Sequence, residues 1–168
     1  MKTRARAALC GLLLALTGPA GADPRPLAPP VWAPQADGRA TGLQDLRGQV
    51  VLVDFWASWC APCLQSLPEL ESWQRELRDR GFTVLAVNVD TERAKALAFL
   101  KRKPVSYPVV YDPQGRWPEQ YDVGGMPASY LIDREGRLHA SFSGYSEKDL
   151  PRIRQQVEAL LGAGGETR

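Results

Sequence analysis

Val50-Val51-Leu52-Val53-Asp54-Phe55-Trp56 runs directly into Ala57-Ser58-Trp59-Cys60-Ala61-Pro62-Cys63. The first seven residues are apolar but for Asp54, the pattern of a strand buried on both faces. Beyond the second cysteine, Leu64, Leu67, Leu70, Trp73 and Leu77 recur at three- and four-residue steps. That spacing puts them on one face of a helix expected over Ala61–Arg80. Pro62 suits its first turn, Pro68 is expected to kink it, and Gly81 to end it. The pair Cys60 and Cys63 therefore falls at a strand-to-helix junction, where two thiols two residues apart can close into a disulfide.

Working outward, Asp37-Gly38 signals a turn, so Val31–Leu43 is expected as a small hairpin. Phe82–Val89 reads as a second buried strand, and Thr91 as the N-cap of a helix to Arg102 with Leu97 and Leu100 on its apolar side. Pro108–Tyr111 is a short strand, Asp112-Pro113-Gln114-Gly115 a turn, and Glu119–Val123 a helical turn. Ala128–Asp133 and Arg137–Phe142 form two strands joined through Arg134-Glu135-Gly136. A last helix runs from Asp149 to Leu161, and residues 162–168 are expected as a flexible tail. Strands alternating with helices and closing on a hairpin imply an α/β fold: a central mixed sheet flanked by helices on both faces.

The chain has 168 residues, 44% hydrophobic and 24% charged, enough for one domain with its own core. Its first residues read as an address. Lys2, Arg4 and Arg6 precede the apolar stretch Ala7–Leu16, and Ala20-Gly21-Ala22 is a small-x-small cleavage site. Residues 1–22 are thus expected as a secretory signal peptide, with an uncleaved N-terminal membrane anchor as the alternative for an apolar stretch short of about 20 residues. Cys10 lies inside that segment, ahead of where a lipid-bearing cysteine would sit. Residues 23–29 are proline-rich, an extended linker before a domain at 30–161. The signal carries three basic residues and no acid, so the formal charge falls from +2 to −1 on its removal. A nucleic-acid role has no electrostatic support. Export would place the mature protein, periplasmic by this reading, where disulfides persist.

Cys60 is expected at the helix N-cap, where unpaired N–H groups and the helix dipole favour a thiolate. Cys63, one turn on and more buried, is placed to resolve a mixed disulfide on Cys60. The competing reading, a passive staple, closes so short a loop that it would stabilise little. A structural zinc site is a poor fit, because one CxxC and the single histidine, His139, fall short of four ligands. Asp54, a carboxyl in a buried strand, has a raised pKa if buried and could relay the proton of Cys63; at a wet strand end it would do neither. Trp59 is expected to shield Cys60 or to pack plainly. Trp73 and Phe82 belong to the core, and Tyr107 and Tyr111 to core or groove.

The stretch Val53–Cys63, with Pro68 five residues after the second cysteine, resembles the thioredoxin family. Gly125-Met126-Pro127-Ala128-Ser129-Tyr130-Leu131-Ile132-Asp133 resembles that family's cis-proline loop and following strand. The resemblance covers roughly Pro30–Leu161 and implies a thioredoxin-like fold. It further implies a cis Pro127 facing the dithiol, a Met126 backbone offered to substrate as an added strand, and a Gly144 lining the same groove. Trp59 and Pro62 complete the substrate-binding set it implies. The exported N-terminus, the leading hairpin and the extra segment Lys103–Val123 before the cis-proline loop resemble periplasmic TlpA/ResA/DsbE-type thiol–disulfide interchange proteins. Members of that group often carry Asn where this chain has Asp54, and some use an acid at the end of the next strand. Asp90 is one candidate for that acid; Glu92 is the other, and reads more readily as a surface residue. The buried lysine of thioredoxin is replaced by Ala86.

These expectations converge on a thiol–disulfide oxidoreductase that reduces disulfide-containing protein substrates, draws on a membrane electron donor, needs no cofactor or metal beyond Cys60–Cys63, and works as a monomer. Apocytochrome c or a copper-site assembly protein is the substrate the resemblance implies. The alternatives are a disulfide-donating oxidase using the same residues, and a non-catalytic Cu(I) carrier with Cys60, Cys63 and Met126 as soft ligands.

Overall fold

From the N-terminus, a hairpin of β1 (Trp32–Pro34) and β2 (Ala40–Gly42) precedes β3 (Val50–Trp56) and α1 (Ala61–Leu77). Then come β4 (Phe82–Asn88), α2 (Arg93–Arg102), β5 (Val109–Tyr111), α3 (Arg116–Gln120), β6 (Ala128–Ile132), β7 (Leu138–Ser143) and α4 (Leu150–Ala163). The structure is a computed structural model and describes residues 23–163. The expected signal peptide and the end of the expected tail lie outside the described residues.

β3 is buried along its whole length because it has a strand on each side. The main sheet runs β5-β4-β3-β6-β7. β4 pairs with β3 in parallel, and β6 pairs with it antiparallel. Alternation then sorts the side chains. Leu52 and Trp56 face the core under α1 and α4, which supply Leu67, Leu70, Trp73, Ile153 and Val157. Val51, Val53 and Phe55 face a second core, covered by the hairpin and by Trp117 of α3. Asp54, between Leu52 and Trp56, shares the α1 side by the two-residue strand period. The extra segment before the cis-proline loop adds β5 to the sheet edge, and α3 covers the second core. This is the mixed-sheet, thioredoxin-like architecture with an N-terminal hairpin.

Several boundaries differ from the sequence reading. The last turn before Gly81 tightens to a 3-10 turn at Arg78–Arg80, and Gly81 takes the left-handed φ of 84° that glycine tolerates. The second helix is capped by Glu92 rather than Thr91. That helix buries Ala96 and leaves Leu97 40% exposed, reversing the expected role of Leu97. In ten residues the apolar period is too short to pick one face. The helical turn expected at Glu119–Val123 begins earlier, at Arg116, after Gly115 in the left-handed conformation. The last helix continues through Gly162 to Ala163. Residues 23–29 are extended but docked: Leu27 bridges Arg137, and Ala28 N–H donates to the Gly136 carbonyl at 3.0 Å.

Candidate active site

Cys60 is the N-cap of α1, and Pro62 occupies its first turn. Cys60 and Cys63 form a disulfide, with Cα atoms 5.3 Å apart. The Cys63 N–H donates to Cys60 Sγ at 3.3 Å, so the sulfur of Cys60 meets one of the free amide donors at the helix start. Both cysteines are nearly enclosed, Cys60 at 6% and Cys63 at 1% exposure. The more accessible cysteine is therefore the one at the helix tip.

The Met126–Pro127 peptide bond is cis. Beside the disulfide, a groove of roughly 540 Å³ is lined by Trp59, Cys60, Val89, Pro113, Val123 and Met126, among others. Among the described residues no charged side chain lines it. Trp59 is 68% exposed and lines this groove together with Cys60. Gly144 has a φ of 62°, and its N–H donates to the Pro127 carbonyl at 2.8 Å. It holds the cis-proline loop and is absent from the groove wall. Tyr107 and Tyr111 belong to the core on the α1 side.

Asp54 is fully buried. Its Oδ1 accepts from Ser129 Oγ at 2.6 Å and from the Tyr145 hydroxyl at 2.8 Å. Its Oδ2 is buried with no partner. Its strand neighbours are Ser129 on β6 and Ala86 on β4, so no lysine stands beside it. Burial pushes its carboxyl up to about 6, against the two hydroxyls, which pull it down.

Asp90 is also buried, at 3% exposure, but every side of it is used. Its Oδ2 accepts from Ser58 N–H at 2.9 Å and from the Asn88 amide at 2.8 Å, and its Oδ1 from Ser58 Oγ at 2.8 Å. These bonds tie the loop carrying Trp59 and Cys60 to the end of β4. Glu92 is the surface residue, paired with Lys95 at 2.7 Å. Ser58, Tyr145 and the contact role of Ser129 were missed in the sequence. Ser129 carried a signal of the same kind as Asp54, a polar residue in a buried strand. Tyr145 carried none.

Among the described residues no group of three or more His, Cys, Asp or Glu is placed to hold a metal. No helix there is long and apolar enough to cross a membrane. A dithiol at a helix N-terminus, in a groove that also takes in Met126 of the cis Met126–Pro127 bond, is equipped for thiol–disulfide exchange.

The chain is similar to proteins that do this. It is 32% identical over 124 residues to the thiol-disulfide oxidoreductase ResA of Geobacillus thermodenitrificans, covering 74% of this chain and 70% of that one. With ResA of Bacillus subtilis it shares 32% identity over 102 residues, 61% of this chain and 57% of that one. A crystal structure from Chlorobium tepidum, assigned as a thiol:disulfide interchange protein DsbE, superposes with a TM-score of 0.79 at 40% identity. That match covers 83% of this chain and 98% of the other. The Redoxin family profile matches residues 24–160, and the chain belongs to that family as a thioredoxin-like thiol–disulfide oxidoreductase.

Proposed function

We propose that the protein works as a reductant of protein disulfides outside the cytoplasm. One observation carries this: the sulfur of Cys60 accepts a single backbone N–H, and no cationic side chain lines the groove beside it. A strongly stabilised thiolate stabilises the reduced state and makes an oxidant; a weakly stabilised one leaves the dithiol reducing.

In this direction the Cys60 thiolate attacks a substrate disulfide, forming a mixed disulfide and expelling one substrate thiolate, which takes a proton from solvent. Cys63 gives its proton to Asp54, attacks Cys60 Sγ and expels the second substrate thiolate, which is then protonated. The substrate gains two electrons and two protons, and the enzyme is left as the Cys60–Cys63 disulfide. A membrane donor of the thiol-transfer type would return two electrons and two protons. Cys60 and Cys63 exchange disulfides without a bound cofactor. Trp59, Pro62, Met126 and Pro127 contact the substrate chain, with Gly144 holding the loop. The family resemblance supports apocytochrome c or a copper-site assembly protein as substrate. Residues 1–22 direct a monomer to the periplasm, by cleavage or as an anchor.

The test is the equilibrium reduction potential of Cys60–Cys63 against a glutathione buffer. A value near or below about −250 mV fits a reductant, whereas one near about −120 mV would make the protein a disulfide donor. A Cys63→Ser variant should trap its substrates through Cys60. Stoichiometric Cu(I) binding with no exchange activity would replace both readings by the carrier.

A further inference from the structure

The carboxyl of Asp54 is held in an unsymmetrical way. Ser129 Oγ and the Tyr145 hydroxyl, each with one proton to give, both point at Oδ1 and lie 3.0 Å from each other. Two donors on one oxygen leave no room for a proton there. A proton reaching Asp54 must therefore settle on Oδ2, the buried oxygen with no partner. Ser66 of α1 donates its hydroxyl to the Cys63 carbonyl at 3.0 Å.

We infer that Tyr145, together with Ser129, is a positioning residue for the exchange reaction: the two hydroxyls hold Oδ1 of Asp54 and reserve Oδ2 for the proton of Cys63. This rests on the reading of Asp54 as the acceptor of that proton. The other groups around Asp54 do not supply the same control. Ala86 is its strand neighbour on β4, and the core on that side of the sheet holds Cys63 from α1 with apolar Ile153 and Val157 from α4. Tyr107 reaches the same region, but its hydroxyl donates to the Leu67 carbonyl at 3.4 Å, and burial and the negative charge of Asp54 keep it protonated. Among the described residues no cation faces Asp54, so the two hydroxyls are its only counterweight to burial.

The experiment follows release of a chromogenic thiol from a mixed disulfide on Cys60 of the full chain, by stopped flow, from about pH 4 to about pH 9. In parallel, the Asp54 carboxyl is titrated directly in the oxidised protein by its infrared or carbon NMR signal. Deprotonated Asp54 is the active form, so the wild-type rate rises with pH through its midpoint. Tyr145→Phe removes one donor to the charged form. It should move the acid limb and the direct titration upward by about one pH unit, with about ten-fold slower release below the limb and no change above it. Ser129→Ala should move both readouts the same way. A role in packing alone would lower the rate equally at every pH. If neither variant moves either midpoint, the positioning inference is overturned. If Asp54→Asn leaves the acid limb in place, the proton-transfer reading itself falls, and the inference with it.

Discussion

Asp54 and Asp90 are both buried acids near the same disulfide, and they differ in what their oxygens have left over. Asp90, beyond the end of β4, spends both oxygens on Ser58 and Asn88. Asp54, inside β3, spends one oxygen on two hydroxyls and leaves the other bare. Burial is equally deep, so burial does not separate a structural carboxylate from a chemical one. The unmet hydrogen-bonding capacity does, because an unsatisfied buried oxygen is costly to keep unless a proton can reach it.

The sharpest way to break this contrast is the pH dependence of stability. Asp54 titrates at about 6 in the fold against 3.8 for an ordinary Asp, so the folded state binds its proton more tightly than the unfolded state. The resulting penalty is absent below about pH 4, grows as pH rises through 4 to 6, and is complete above. Asp54→Asn removes it. The stability difference between variant and parent should therefore move in favour of the variant by about 3 kcal/mol between pH 4 and pH 8, read by urea unfolding. A difference that stays flat with pH would mean Asp54 is not the buried acid described here.

Asp90→Ala should behave in the opposite sense. It strips acceptors from the Ser58 N–H and the Asn88 amide and is expected to cost about 2 kcal/mol at neutral pH. The acid limb of the exchange rate should keep its position. A displaced limb would show that Asp90 shares the proton-transfer role and would dissolve the contrast. The smallest effect concerns the β7–α4 loop that carries Tyr145. Gly144 sits at a φ of 62° with open space where a Cβ would be, so Gly144→Ala adds conformational strain and no clash. About 1 kcal/mol of stability should be lost, measured by thermal unfolding. A neutral result would mean the loop relaxes to a different backbone.

Much of this arrangement could be read along the chain. The run Val50–Trp56 announced a doubly covered strand because a central strand with a core on each face has no wet side. Cys60 announced itself as a cap because Pro62 and the leucine period start a helix just after it. Asp54 stood out as the charge in an apolar run. What escaped depended on contacts between distant residues: Tyr145 reaches Asp54 across 91 positions and Ser129 across 75. Thr91 was the expected cap and Leu97 an expected core residue, where the fold uses Glu92 and Ala96. A short helix follows the surface it docks on rather than its own propensities.

The sequence by itself determined the dithiol, its place at a helix start and the order of strands and helices, since these follow from local periodicity and spacing. Only the tertiary structure decided which acid keeps a free oxygen, which way Trp59 faces, and that a tyrosine from the loop before α4 completes the site. Those outcomes depend on side chains converging from β3, β6 and the β7–α4 loop, and convergence in space leaves no pattern along a chain.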